Sequence, residues 1–143
     1  MNFVWGAILI VFTLIVCWLG QVISTLWPTV AAQWGLTDVE SEVDTAVYAD
    51  ARGEAVWDVI VLWTLPVAGI LLILNNTVWP YFGLVGGGMY LYFAGRGISA
   101  RLAMRRRGIR IGKPESVRVA YVFLTLWGLI AIVTIVMSVI ALS

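Results

Sequence analysis

Every charged side chain of this chain falls in one of two short segments. The nine bases and eight acids all lie within positions 38–58 and 96–118. Around them run apolar stretches too long for an ordinary soluble core. A helix needs about 20 apolar residues to cross roughly 30 Å of hydrocarbon. Four stretches meet that length, at 3–27, 55–74, 78–98 and 117–142. The pattern predicts an all-α integral membrane protein. Four transmembrane helices form a compact bundle, with a short amphipathic interfacial helix between the first and second spans. Charged residues make up 12% of the chain, against about a quarter in globular domains. Mean hydropathy is +0.97. Little remains for a soluble domain, so 1–143 reads as a single membrane domain, with an acidic segment at 28–54 and a basic loop at 99–116.

The two charged segments are opposite in sign. The first holds Asp38, Glu40, Glu42, Asp44, Asp50, Glu54 and Asp58 against Arg52. The second holds Arg96, Arg101, Arg105, Arg106, Arg107, Arg110, Lys113 and Arg118 against Glu115. Loops one and three of a four-span chain share a side by parity. Lys and Arg near span ends mark the cytoplasmic side and acids count for little, so both segments are expected there. Both termini are then non-cytoplasmic, in a multi-pass protein of the bacterial inner membrane or another cell membrane. The first apolar run has no base before it and is about twice the length of a signal-peptide core, so it reads as a retained span.

Each span offers a small-residue face. The first carries Gly6, Thr13, Cys17, Gly20, Gln21 and Ser24. Trp27-Pro28 closes it. Thr37-Asp38-Val39-Glu40 fits a capping box, and Val39, Val43 and Val47 then recur every four residues. These mark the amphipathic helix, running toward span two with a weak point at Gly53. Pro66 is expected to kink the second span. Asn75-Asn76-Thr77 makes a turn, and Trp79-Pro80-Tyr81 opens the third span. That span is glycine-rich. Gly83, Gly86, Gly87 and Gly95 are the expected helix-packing positions, Gly83 and Gly87 forming a GxxxG pair. Each glycine costs about 1 kcal/mol of helix propensity relative to Ala, which close helix contact would offset. The pattern leaves open whether that contact is within the chain or with another copy.

Chemistry is sparse. Histidine is absent and Cys17 is the sole cysteine, so no catalytic residue, metal ligand or cofactor is assigned. Asp58 starts span two and Arg96 ends span three, where each helix dipole favours its sign, so an Asp58–Arg96 ion pair is expected. Arg101, Arg105, Arg106, Arg107, Arg110 and Lys113 are expected against the acidic segment or against anionic headgroups of the bilayer. A short loop without interleaved aromatics is not a nucleic-acid module.

The first functional reading is a non-enzymatic subunit, assembly or partner-binding protein using its Gly-rich helices, as a homo-oligomer or with another membrane protein. The alternative is a homo-oligomeric channel or small-solute transporter lined by Thr13, Gln21, Ser24, Thr64, Thr134 and Ser138. The third is an interfacial lipid-modifying enzyme using Glu54, Asp58 and Arg96.

Overall fold

The structure is a computed structural model and describes residues 2–143. Its helices are α1 (Asn2–Leu26), α2 (Pro28–Gln33), α3 (Thr45–Val61), α4 (Thr64–Ile73), α5 (Trp79–Arg106) and α6 (Pro114–Leu142). Local chemistry sets the boundaries. Pro28 disfavours the helical region for the residue before it, and Trp27 departs to φ −132°, ψ 69°. Prolines then occupy the first turns of α2, α5 and α6, where a missing N–H costs no bond. Glu115 adds an acid at the positive end of α6.

Pro66 acts as expected. It has no N–H for the Leu62 carbonyl, and the chain breaks into a turn at Leu62–Trp63 between α3 and α4. Asn75 takes φ 50°, and the Asn76 side-chain oxygen accepts the Val78 N–H at 2.9 Å, closing the turn before α5.

Two expectations about the acidic segment are corrected. The capping box at Thr37 starts no α-helix; Glu40–Glu42 form a single 3-10 turn instead. Val43 is then held in an isolated antiparallel bridge to Ile111. That tertiary pairing overrides the local helix signal, and the helix begins only at Thr45. Gly53 is no weak point either, because α3 passes through it unbroken. One glycine costs about 1 kcal/mol of propensity, whereas an internal proline also removes a bond and clashes.

Three long helices, α1, the kinked α3–α4 unit (Thr45–Ile73) and α6, are long and apolar enough to cross a membrane. The 28-residue α5 is diluted by glycine and aromatic residues. It packs against α4 on one side and α6 on the other. The first half of α1 packs on α4 and its second half on α3, while Trp5 and Trp127 tie α1 to α6.

The core lies midway between the ends. Leu9, Leu62, Leu65, Tyr90 and Ala131 are wholly buried there, with Thr13 and Thr134 among them. Their hydroxyls bond back to the Leu9 and Ile130 carbonyls of their own helices, at 2.6 and 2.7 Å. The centre of α1 is wider than an α-helix, with Ile10–Trp18 wound in the π form. Two ring donors reach its carbonyls. Tyr90 donates its hydroxyl to Thr13 at 3.1 Å and Trp127 its indole N–H to Phe12 at 2.9 Å. Buried Tyr and Trp need such acceptors, and in an apolar interior only protein can supply them.

Candidate functional site

The acidic and basic segments meet at one end of the bundle. The Asp44 and Arg110 backbones are joined by an N–H to carbonyl bond of 2.8 Å. The Arg110 N–H also donates to the Asp44 carboxylate at 2.6 Å. This captures the side chain that would otherwise cap α3, and no side-chain cap forms there. Lys113 pairs with Glu42 at 2.7 Å, and the Glu42 contact raises the Lys113 pKa. Asp38 lies against Gly112, whose φ of 118° suits glycine. Burial pushes the Asp38 carboxyl up, against a hydrogen bond from Ser116.

The basic cluster therefore divides. Arg110 and Lys113 contact the acidic segment as expected. Arg101 turns back to the Gly97 carbonyl at 3.1 Å. Arg105, Arg106 and Arg107 are exposed, and among the described residues none forms an ion pair. Arg52 had no assigned role from sequence. Its guanidinium donates to the Ser24 and Thr25 carbonyls in the last turn of α1, satisfying acceptors that helix ends leave orphaned.

The expected Asp58–Arg96 ion pair is replaced by another. Arg96 donates to Glu54 at 2.5 Å and to Asp50 at 2.9 Å. Asp50, Glu54 and Asp58 lie at successive i+4 positions of α3, and Arg96 takes the two nearest the charged end. Asp58 is left 4% exposed, with Oδ2 buried and without a hydrogen-bond partner.

The Arg96 cluster stands between two concave surfaces. On one side is a vestibule of about 580 Å³ enclosed by α1, α3, α5 and α6. Its polar lining includes Gln21, Ser24, Glu54, Arg96, Arg101 and Ser116. Its apolar lining includes Phe93, Leu124 and Trp127, and the Phe93 and Trp127 ring centroids are 5.7 Å apart. Past them, Leu9, Leu62, Leu65 and Tyr90 are wholly buried and fill the interior. Thr13, Thr64, Thr134 and Ser138, the deeper members of the expected channel lining, are buried within the chain. On the other side a lateral groove runs between α3 and α5, past Gly53, Trp57, Asp58, Val85, Gly88 and Tyr92.

The glycines settle where their contacts go. A Cβ at Gly86 would lie 2.5 Å from the Leu65 nitrogen, and one at Gly87 would lie 2.6 Å from Ile135. Gly83 is pressed on Ser138 and Thr134. All three therefore pack within the chain. Gly95 makes no such contact within the chain, being exposed with nothing within 4 Å of its Cβ position. Gly97, two residues on, is buried against Leu124. Gly6 of α1 also meets Gly69 of α4, a partner that the sequence pattern does not single out. A Cβ on Gly6 would meet the Gly69 carbonyl at 2.8 Å.

Among the described residues, no three His, Cys, Asp or Glu side chains are placed to hold a metal ion. Comparison with protein-family models, with curated proteins and with solved structures finds no match.

Proposed function

We propose that this chain is a non-enzymatic membrane protein of four spans that binds a small amphiphilic ligand in the vestibule at its charged end. One observation carries the reading: a cavity of about 580 Å³ that brings acids, bases and amides over an aromatic floor. Ligand sites are typically concave and mostly apolar, with a few placed polar groups, on the order of 300–1,000 Å³. Gly83, Gly86 and Gly87, which could have joined copies into an oligomer, are used inside the chain instead. The filled interior past Phe93 and Trp127 favours binding over conduction through a single chain.

The fourth span is α5. At 28 residues it is long enough to cross, and it lies between α4 and α6. Contact between the acidic and basic segments supports an even number of crossings between them. We place that end in the cytoplasm by its bases, with both termini outside. Arg105, Arg106 and Arg107, free of acidic partners, rest on anionic headgroups there.

Native mass spectrometry of the full chain released gently from its own membrane tests this reading. The expected species is one chain with a non-protein adduct of on the order of a few hundred daltons. Ala100 lines the vestibule, so Ala100→Phe fills it and removes the adduct. An adduct pattern unchanged in A100F overturns the vestibule reading. A homo-oligomer, or a protein partner in place of the adduct, overturns ligand binding as the function.

A further inference from the structure

The lateral groove between α3 and α5 contains a carboxylate that nothing in the fold explains. Asp58 is 4% exposed, lines the groove, and has a buried oxygen with no hydrogen-bond partner. A buried charge without a counter-charge is costly, and an ionisable group within a span is a functional-site candidate whose partner should be named. The nearest cation cannot serve, because the Arg96 guanidinium is engaged by Asp50 and Glu54. Three carboxylates face one guanidinium, so the local charge calls for another cation.

The walls indicate what kind. Trp57 and Tyr92 line the groove, 61% and 70% exposed, and Phe93 stands deeper, 8% exposed. Aromatic faces attract organic cations, most strongly where water is excluded. Gly53 and Gly88 have nothing within 4 Å of their Cβ positions, so the floor between the aromatics is open. Val61, Leu62, Leu84 and Val85 continue the groove as an apolar track. Interface aromatics occur in any membrane protein, but they do not account for an unpartnered buried carboxylate between them.

We propose that this groove binds an alkylammonium amphiphile drawn from the bilayer, its head on Asp58 between Trp57 and Tyr92 and its tail along Val61 and Val85. The site shares Asp50, Glu54, Phe93 and Arg96 with the vestibule but opens on the other side of them. A groove-bound amphiphile persists in A100F, where a vestibule ligand is lost, so the two readings fail separately.

The test titrates labelled dodecyltrimethylammonium onto the full chain in dodecyl maltoside, with protein-free micelles subtracted. The surrounding detergent has the same tail and a neutral head, so only the head can discriminate. Saturable binding is expected, about tenfold or more weaker in Asp58→Asn. Should Asp58→Asn fold poorly, Gly88→Leu provides the second arm. It fills open space on the groove floor and should abolish binding with the bundle intact. Dodecyl sulfate should not bind. The proposal is overturned by no saturable binding, by wild-type affinity in either variant, or by equal binding of dodecyl sulfate.

Discussion

The two ends of the bundle are held together in different ways. At the uncharged end, helices close on glycine: Gly6 and Gly86 face backbone atoms of Gly69 and Leu65, and Gly83 and Gly87 face the side chains of Ser138 and Ile135. At the charged end, Gly20, Gly53 and Gly95 of the helices have nothing within 4 Å, and among the helix glycines there only Gly97 is closely covered. There the helices are joined by side chains reaching across gaps, Arg96 to Asp50 and Glu54, Arg52 to the end of α1, Lys113 to Glu42. Lipid gives apolar helices little reason to prefer each other, so close approach of small residues provides much of the association. One end has spent its small residues on closure. The other has left them open, and its cavities follow from that.

The sharpest way to break this comparison is to add one methyl on each side of it. Gly86→Ala places a Cβ 2.5 Å from the Leu65 nitrogen, a backbone atom that cannot rotate away. The bundle must open there, and a net loss of about 2–3 kcal/mol is expected. Gly95→Ala, at the charged end of the same helix, meets open space and should gain up to about 1 kcal/mol of helix propensity. Thermal unfolding in detergent reads both. Equal signs for the two variants would end the claim that the uncharged half is closed by backbone contact.

At the charged end the corresponding loss is smaller and local. Arg96→Ala leaves Asp50 and Glu54 facing each other without a cation. The Arg96 side chain is 33% exposed and that of Glu54 18%, so solvent screens part of the cost. A loss of about 1–2 kcal/mol is expected. Amide exchange should quicken over the first turns of α3 while the Gly83–Gly87 stretch stays protected. Quickened exchange at both ends would mean that the two regions do not act separately.

A third test asks what holds the widened centre of α1. Tyr90→Phe deletes the hydroxyl that meets the Thr13 carbonyl and little else. Hydrogen bonds between helices in lipid average about 0.6 kcal/mol, which is the loss expected here. The amides of 10–18 should exchange faster than those on either side. An unchanged exchange pattern would show that the π winding persists without that donor.

What the sequence disclosed, and what it withheld, divides along the same line. Charge placement, the break at Pro66 and the turn at Asn75–Asn76 are local or compositional signals, and each appears in the fold. The small faces were legible as faces. Which residue on a face would be covered was not, because that depends on the neighbour: Gly95 and Gly97 look alike in sequence, and only Leu124 separates them. The Asp58–Arg96 pairing failed for a related reason. Helix-end dipoles placed each charge correctly along the axis, but Asp50 and Glu54, on the same face of α3 and nearer the charged end, gave Arg96 two better-hydrated partners. The start of α3 at Thr45 was hidden because the bridge from Val43 to Ile111 joins segments 68 positions apart in sequence. The π stretch has no sequence mark at all, since Ile10–Trp18 reads as any apolar helix.

The smallest expected effect concerns pH and sits where the two loops meet. Around Asp38, Ser116 donates a hydrogen bond, Glu42 adds like charge, and Arg101 and Lys113 oppose it. Burial outweighs these and raises its pKa. A carboxyl that holds its proton more tightly folded than unfolded stabilises the fold at low pH. That contribution is complete below the ordinary carboxylate pKa and is lost as pH rises through the raised one. Asp38→Asn removes the titration and keeps an oxygen for Ser116. It should raise the unfolding temperature at neutral pH, by less than about 0.5 kcal/mol of stability. The advantage should vanish in acid, where Asp38 is itself neutral. If Asp38→Asn lowers stability at neutral pH, the charged form must be the one the loop contact needs. Asp38 would then belong with Asp44 and Glu42 as a tie across the charged end, rather than as strain carried by that end for keeping its vestibule open.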